Sequence, residues 1–242
     1  MHGWGMHSDV WEDLIEELLD HYRITILDLP GHGRSRNARF GPSLDDLGET
    51  VAAVAPLRAT WIGWSLGGLI AQWLAIAAPE RVERLVLVGS TPCFTQRPDW
   101  PHGMAPAVLR GFAEELRRNH RATLLRFIAL EVRGSNHAAA QLRQLKALLF
   151  QYGEPDETAL ENGLAILEHT DLRGGLPRVR CPTLLLLGQR DLLAPVAAGV
   201  AMREFLPDAR LHVFPHAGHA PFLSHLPEFL TELRIFLDAR RP

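Results

Sequence analysis

The sequence has few of the residues on which specialised protein classes depend. Only two cysteines, Cys93 and Cys181, occur in 242 residues, too few for a disulfide framework or a four-cysteine zinc site. The charge is nearly balanced, with 25 Lys and Arg residues against 28 Asp and Glu residues. A duplex nucleic-acid-binding domain usually has a basic excess, so we expect no nucleic-acid partner.

Targeting and membrane segments are not visible in the sequence either. The first residues do not form a basic segment followed by an apolar run, so we predict no signal peptide and a cytoplasmic location. Residues 59–79 carry no charge and are long enough to cross a bilayer. Three glycines, Ser65 and Gln72 interrupt this stretch. A buried strand, a sharp turn and a buried helix explain it better, and we expect no membrane contact.

The sequence does contain alternating strand-like and helix-like patterns. Five short apolar runs are predicted strands: residues 24–27, 60–64, 84–89, 183–187 and 211–214. Helices around them are predicted at residues 10–19, 44–55, 66–78, 196–205 and 227–237. The alternation favours an α/β fold with a mostly parallel sheet and helices on both faces.

One long segment departs from this alternation. Residues 93–175 show helical periodicity alone, with helices predicted at 107–119, 121–132, 138–150 and 157–169. A helical insertion between two strands of a parallel sheet is typical of a lid over a site. The sequence therefore predicts a core formed by residues 1–92 and 176–242, with residues 93–175 as a helical lid.

The most informative motif is Gly63-Trp64-Ser65-Leu66-Gly67, between a predicted strand and a predicted helix. A serine on a strained strand-to-helix turn projects its hydroxyl above the sheet, and flanking glycines avoid collisions with neighbouring backbone. The helix that begins at Leu66 also points N–H groups toward developing negative charge. Ser65 is therefore the candidate nucleophile.

A serine nucleophile needs a histidine base and a carboxylate that orients it, and in such folds the acid precedes the histidine. His219 lies in the loop after the last predicted strand, with His216 and His225 as local alternatives. Asp191 directly follows a predicted buried strand, at the sheet edge where functional loops occur. Asp208 fits an ordinary turn. We predict Asp191 as the acid and His219 as the base.

The anionic intermediate of such chemistry usually needs two backbone N–H donors, one after the nucleophile and one from an early loop. The Leu66 amide is the first candidate. The loop His2-Gly3-Trp4-Gly5 offers the Trp4 amide as the second. Because this loop follows Met1 directly, we expect one or more N-terminal strands of the fold to be missing.

Together these residues resemble the α/β-hydrolase superfamily over nearly the whole chain. The resemblance rests on the following motifs: His2-Gly3-Trp4-Gly5, residues 28–35, the Ser65 turn, Pro79-Glu80-Arg81-Val82, Asp191 and His219. A second set is similar to the pimeloyl-[acyl-carrier protein] methyl ester esterases of biotin synthesis: Trp64 before the serine, residues 90–94, Trp100-Pro101, Asp171-Leu172-Arg173 and residues 219–225.

The resemblance implies a serine esterase that releases methanol from a pimeloyl methyl ester carried on acyl carrier protein. It implies Ser65, Asp191 and His219 as the triad, with no metal or organic cofactor. It also implies that Trp4 and Leu66 donate to the oxyanion. The lid residues that would line the acyl channel are Phe127, Ile128, Ala129, Leu130 and Glu131, although ordinary helix core fits this segment as well. The residues that would contact the carrier are Arg121, Arg126 and Arg143.

The charge distribution bears on the carrier independently of the resemblance. Residues 110–146 contain eight basic and three acidic residues, which leaves the rest of the chain acidic. A basic lid would steer an acidic macromolecule to the site, whereas a solvated face in an arginine-rich chain is the plainer interpretation. We expect a monomer with the carrier as its macromolecular partner.

Two other functions fit parts of the pattern. A generalist carboxylesterase, a lactonase or a C–C bond hydrolase would use the same triad, because the serine motif does not encode the acyl group. A non-catalytic binding protein on the same fold would need no intact triad. The complete set of candidate residues favours an enzyme.

Overall fold

Four parallel strands form one sheet in the computed structural model, which describes residues 1–239. In sheet order the strands are β1 Ala59–Trp64, β2 Val82–Val88, β3 Thr183–Gly188 and β4 Ala209–Phe214. In the register, Leu87 on β2 lies opposite Gly63 on β1 and Leu185 on β3. Every residue of β3 is buried, as expected for a strand of a parallel sheet that is covered on both faces.

The α-helices of the described residues alternate with these strands. They are α1 Glu12–Glu16, α2 Leu44–Val54, α3 Leu66–Ala77, α4 Pro106–Leu116, α5 His120–Glu131, α6 Ala138–Leu149, α7 Glu157–His169, α8 Val196–Phe205, α9 Pro221–Ser224 and α10 Leu226–Asp238. Helix α3 is apolar on nearly all sides, because it packs against β1, β2 and α2.

Helices α4 to α7 lie between β2 and β3, as the sequence predicts. Within residues 93–175, all of which the structure describes, there are four α-helices and isolated β-bridges but no strand. Helix α4 packs against α5 and α7, and α5 packs against α6. That this segment acts as a lid separate from the core stays a prediction.

The predicted strand at residues 24–27 is wrong. The segment has the expected apolar residues, but it forms no strand, and Ile26 is half exposed. A cavity of about 770 Å³ is lined on one side by this segment and on the other by residues of β1. A strand needs a hydrogen-bonded neighbour, and residues 24–27 make no backbone hydrogen bond to another segment of residues 1–239.

The first residues occupy part of the edge of β1 that faces this cavity. The Met1 amino group donates to the Ile62 carbonyl oxygen at 2.7 Å, and the Met1 carbonyl accepts from the Trp64 amide at 3.1 Å. These bonds place the following loop, residues 2–5, directly beside the end of β1. The expectation of missing strands stays a prediction.

The predicted helix at residues 10–19 is shorter than expected. A 3₁₀ turn, Ser8–Trp11, precedes α1, and α1 ends at Glu16. The Leu18 amide bonds to the Ile15 carbonyl at 2.9 Å, three residues earlier. Such a bond tightens the last turn and ends the α-helix there.

No helix within residues 1–239 combines the length and the apolar character that crossing a bilayer requires.

Candidate active site

The Ser65 turn joins β1 to α3 in a strained conformation. Ser65 has φ 55° and ψ −117°, and a positive φ is rare for a residue with a side chain. The glycines beside it are required by contact: a Cβ on Gly63 would collide with the Gly67 carbonyl oxygen, and one on Gly67 would lie 2.6 Å from the His2 carbonyl oxygen. The predicted serine turn is therefore present.

Two buried polar side chains, Ser90 and Gln72, form hydrogen bonds that support this turn. The Ser90 hydroxyl donates to the Ser65 carbonyl oxygen at 3.0 Å. The Gln72 amide donates to the Gly68 carbonyl at 3.2 Å and lies 3.3 Å from the Ser90 hydroxyl. Sequence reasoning gave neither residue a role, because each acts through a contact with a distant part of the chain.

His219 and Asp191 form a buried hydrogen-bonded pair. His219 Nδ1 donates to Asp191 Oδ2 at 2.8 Å, because an ionised carboxylate can only accept. The other oxygen, Oδ1, accepts from the Leu193 amide at 2.8 Å and the Ala194 amide at 3.0 Å. The carboxylate is thus fixed on both sides, and the imidazole is held in the tautomer whose Nε2 can accept a proton.

The pair lies at the same sheet edge as the serine. The Ser65 amide donates to the Val88 carbonyl at the end of β2, at 3.0 Å. A Cβ on the next residue, Gly89, would lie 2.9 Å from His219 Nδ1. The Trp64 indole donates to the His219 carbonyl oxygen at 3.0 Å. The structure therefore brings the three predicted triad residues together.

The second ring nitrogen of His219, Nε2, has no hydrogen-bond partner among residues 1–239. The atom is buried, and the bond to Ser65 is not formed. Bonds of this kind are often open in free enzymes and close when substrate binds. Ser65 is 1% exposed, so the reacting oxygen is shielded from water.

The alternatives to these residues lie elsewhere. His216 is exposed and accepts a hydrogen bond from Arg190. His225 bonds to the neighbouring Ser224 hydroxyl at 2.7 Å. Asp208 is exposed in the turn before β4. The pairing with Asp191 therefore distinguishes His219 from its neighbours.

The loop that carries Trp4 lies beside the nucleophile. A Cβ on Gly3 would lie 3.2 Å from Ser65 Cβ, so the peptide between Gly3 and Trp4 borders the serine. On the other side, Leu66 is the first residue of α3. The two predicted oxyanion donors therefore flank Ser65, and their role in catalysis stays a prediction.

A buried histidine ties this loop to the rest of the molecule. His2 Nε2 accepts a hydrogen bond from the Leu29 amide at 2.9 Å. Burial and the nearby His32 hold the pKa of His2 well below its ordinary value, so the ring stays neutral and able to accept. The neighbouring Asp28 accepts from the Ser8 and Arg34 amides at 2.6 and 2.8 Å.

Comparison with known proteins agrees with this geometry. The sequence model of the alpha/beta hydrolase fold matches residues 1–226. The chain belongs to the α/β-hydrolase family.

Individual relatives narrow the class. A pimeloyl-[acyl-carrier protein] methyl ester esterase from Nitrosomonas europaea is 46% identical over 96% of this chain and 91% of that protein. One from Pectobacterium atrosepticum is 40% identical over 99% of this chain and 93% of that protein. The solved structure of an esterase from Exiguobacterium antarcticum is 26% identical, with a TM-score of 0.88 over 99% of this chain and 90% of that one. The predicted fold class and the class of carboxylic ester hydrolases are confirmed.

Helices α5 and α7 both contact Trp4, whose loop lies beside Ser65. The Trp4 indole is 1% exposed and donates to the Leu160 carbonyl on α7 at 2.8 Å. Its ring meets Phe127 on α5 edge to face, with centroids 4.6 Å apart, and Phe112 on α4 lies behind Phe127. Aromatic side chains of the helical segment therefore pack against the loop that carries Trp4.

The predicted acyl-channel residues divide between two faces of α5. Phe127, Ile128 and Glu131 are buried, whereas Ala129 is exposed and Leu130 is partly exposed. An α-helix makes one full turn about every 3.6 residues, so five consecutive residues cannot all face the same side. Ala129 therefore faces the surface and Leu130 packs at the margin of the core, and the role of the five residues as an acyl channel stays a prediction.

Glu131 is the most unusual group beside the triad. Its side chain is 1% exposed, and neither carboxyl oxygen has a hydrogen-bond partner in residues 1–239. Burial and the nearby charge of Asp191 raise the pKa of Glu131 well above its ordinary value. Its backbone carbonyl accepts from the His219 amide at 2.9 Å. The protonated form of this carboxyl group beside the triad is therefore favoured more strongly than in an ordinary glutamate.

The three predicted carrier-contact arginines differ in their surroundings. Arg121 pairs with Glu154 at 2.9 Å, and Arg126 pairs with Glu115. Arg143 is exposed and has no hydrogen bond or ion pair within the described chain. All three lie on α5 or α6. No group of His, Cys, Asp or Glu side chains in residues 1–239 is arranged to hold a metal ion.

Proposed function

We propose that this chain is a serine carboxylesterase that hydrolyses the methyl ester of pimeloyl-[acyl-carrier protein] to pimeloyl-[acyl-carrier protein] and methanol, a reaction of biotin synthesis. The observation that carries the proposal is the buried pair of His219 and Asp191 beside the strained Ser65 turn, on a chain 40–46% identical to esterases of that name.

Acylation begins at the unpaired nitrogen of the base. His219 Nε2 takes the Ser65 hydroxyl proton while the serine oxygen attacks the ester carbonyl carbon. Asp191 stabilises the imidazolium through the 2.8 Å bond to Nδ1. The amides of Trp4 and Leu66 donate to the carbonyl oxygen as it becomes negative. The protonated base then gives its proton to the leaving methoxide, and methanol departs.

Deacylation repeats these steps with water. His219 Nε2 takes a proton from a water molecule, whose oxygen attacks the acyl-serine carbonyl. The same two amides stabilise the second tetrahedral oxyanion. Collapse returns the proton to Ser65 and releases the carboxylic acid, which then loses its own proton to the solvent. Each proton transfer to or from the serine oxygen, the methoxide and the attacking water moves through His219.

The helical segment 93–175 serves as the lid in this proposal. Ser65 and His219 are each 1% exposed, so a carrier-bound chain reaches them only when the contact between Trp4 and Phe127 opens. The aromatic surfaces that close the site are also suited to an aliphatic acyl chain, because both are apolar.

The carrier is proposed to approach over α5 and α6. Carrier recognition by charge needs cations that are free or weakly engaged, and Arg143 is free. The pairs that involve Arg121 and Arg126 lie at the surface, with side chains 56% and 57% exposed. Exposed ion pairs contribute only about 0–1 kcal/mol, so acidic groups of a partner can replace Glu154 and Glu115. We propose a monomer with one carrier per site.

The first test asks whether Ser65 carries the reaction. Replacement Ser65→Ala should lower kcat for the carrier-bound methyl ester by about 10⁶-fold, with methanol release as the measurement. The matched control is Ser224→Ala, which removes a hydroxyl outside the site and should keep wild-type activity. Labelling of the wild type but not of Ser65→Ala by a fluorophosphonate would separate the enzyme from a binding protein. Equal activity of Ser65→Ala and wild type contradicts the mechanism.

The second test asks whether the carrier is recognised. The double variant with Arg126→Glu and Arg143→Glu should raise KM for the carrier-bound ester much more than KM for a free short methyl ester, and added salt should weaken the preference. Arg203→Glu on α8 is the matched charge reversal and should have no such effect. Equal kcat/KM for carrier-bound and free esters would identify a generalist carboxylesterase instead.

A further inference from the structure

Beside the triad, a group of hydrogen bonds joins the helical segment to the two loops that carry Asp191 and His219. Its centre is Arg190, the residue before Asp191. The mechanism above assigns Arg190 no role, and no sequence motif selects it.

The Arg190 side chain reaches acceptors on two separate parts of the chain. Nη1 donates to the Gly134 carbonyl and to Asn136 Oδ1, both at 2.9 Å. Nη2 donates to His216 Nδ1 at 2.7 Å. Gly134 and Asn136 belong to the connection between α5 and α6, whereas His216 belongs to the loop after β4. One guanidinium group therefore joins the lid segment to the loop of the base.

Backbone hydrogen bonds complete the same junction. The Asn136 amide donates to the His216 carbonyl at 3.2 Å, and the Arg190 amide donates to the Ala217 carbonyl at 2.9 Å. The base itself is part of it, because the His219 amide donates to the Glu131 carbonyl at the end of α5, at 2.9 Å. The His219 amide is thus held by the lid segment, while the His219 carbonyl accepts from the Trp64 indole.

Two residues in the junction have backbone conformations that need support. His216 has φ 64°, which is unfavourable for a residue with a side chain. Gly134 has φ 85°, and a Cβ there would lie only 3.1 Å from Arg190 Cβ. The close approach and the strained loop are both located where the guanidinium binds.

We propose that Arg190 is a positioning residue that keeps the His219 imidazole aligned with Asp191 by fixing the α5–α6 connection to both catalytic loops. The inference rests on the proposed function, since it requires the triad to act in catalysis. Without the guanidinium, the end of α5 is free to shift, and the His219 amide loses its Glu131 acceptor. The planar guanidinium presents its donors on two terminal nitrogens, so Nη1 serves the α5–α6 connection while Nη2 serves His216. An ammonium group also has three donors, but all of them lie on one nitrogen, so lysine is expected to replace only part of this bridge.

The experiment compares Arg190→Ala and Arg190→Lys with Arg203→Ala. Arg203 is an exposed arginine on α8 that makes no hydrogen bond or ion pair within residues 1–239, so its replacement controls for the lost charge. With a short p-nitrophenyl ester, Arg190→Ala should lower kcat by roughly 10- to 100-fold with little change in KM. Arg190→Lys should retain an intermediate kcat, and Arg203→Ala should match the wild type.

A spectroscopic measurement distinguishes positioning from a general loss of stability. The low-field proton resonance of the bond between His219 Nδ1 and Asp191 should weaken or broaden in Arg190→Ala at a temperature where circular dichroism shows full folding. Unchanged kcat together with an unchanged resonance would overturn the proposal. An equal loss of kcat in Arg203→Ala would overturn it as well.

Two further variants remove acceptors and leave Arg190 in place, in case Arg190→Ala does not fold. Asn136→Ala and His216→Gly should each lower kcat, and glycine adopts the positive φ of position 216 without strain. Wild-type kcat in both would overturn the proposal. Fluorophosphonate labelling of the wild type separates failure of this inference from failure of the proposed function. A labelled enzyme without carrier preference contradicts the proposed function and leaves the role of Arg190 open to the kcat test. A wild-type protein that is not labelled contradicts both the proposed function and the role of Arg190.

Discussion

The indole nitrogen of Trp4 donates a hydrogen bond to the Leu160 carbonyl oxygen, 2.8 Å away. Trp4 lies on the loop beside the nucleophile, and Leu160 lies on α7 of the helical segment. A Cβ on Gly163, one turn further along α7, would lie 2.6 Å from the indole ring. The loop that carries the predicted oxyanion donor is thus anchored on a helix of the segment 93–175.

Replacement Trp4→Phe should test this anchor. Phenylalanine retains most of the contact with Phe127 but cannot donate to Leu160, so the free energy of unfolding should fall by about 1 kcal/mol in urea titrations. Ester kcat should also fall, because the loop that carries the Trp4 amide is less well fixed. The control Trp73→Phe removes a surface bond to Asp45 and should keep wild-type kcat. Identical kcat for Trp4→Phe and wild type would contradict the expectation.

Asp191→Asn should separate orientation of the base from its presence. An amide presents an N–H as well as an oxygen, so it can favour the His219 tautomer that has no free Nε2 lone pair. Loss of kcat by about 10⁴-fold is expected, with the free energy of unfolding measured in parallel. Asp208→Asn, in an exposed turn, is the matched control and should be active. An Asp191→Asn variant with more than a tenth of wild-type kcat would exclude the role of Asp191 in orienting His219.

The triad residues were predictable because their positions depend on local order along the chain. Ser65 follows β1, Asp191 follows β3 and His219 follows β4. The carboxyl ends of parallel strands meet at one edge of a sheet, so the sequence order of strands is enough to bring these side chains together. No knowledge of long-range contacts was needed.

The features that the sequence did not predict correctly depend on contacts between distant parts of the chain. Residues 24–27 have a strand-like pattern, but a strand also needs a hydrogen-bonded neighbour. These residues make no backbone hydrogen bond to another segment of residues 1–239 and line a cavity together with residues of β1. Arg190 was not singled out, because its acceptors lie at Gly134, Asn136 and His216, far away in sequence. Periodicity reports which face of an element is apolar, and it contains no information about such contacts.

Ser90→Ala should test the support beneath the nucleophile. The hydroxyl of Ser90 donates to the Ser65 carbonyl at 3.0 Å, and its loss should cost about 1 kcal/mol of unfolding free energy. Because Ser65 is held at a positive φ, the rate of fluorophosphonate labelling should fall as well. Ser224→Ala provides the control for hydroxyl removal. Labelling at the wild-type rate would show that the turn does not depend on Ser90.

Glu131 gives the protein a pH-dependent stability. Its pKa in the folded protein is raised well above the ordinary value of 4.5 by burial and by the nearby charge of Asp191. The folded state therefore keeps a proton that the unfolded chain releases. The stabilisation is complete below pH 4.5 and is lost as the pH rises toward the folded pKa.

Glu131→Gln should remove this dependence, because an amide does not titrate. The difference in free energy of unfolding, variant minus wild type, should rise as the pH rises above 4.5. The rise should be about 1.4 kcal/mol for each pH unit until the pKa of Glu131 in the folded protein is reached. Urea unfolding at several pH values between 5 and 8 measures the difference, and groups common to both proteins cancel. The matched control Glu114→Gln changes an exposed carboxyl on α4 and should give a constant difference. A constant difference for Glu131→Gln too would show that Glu131 is ionised in the folded protein, as an ordinary carboxyl is.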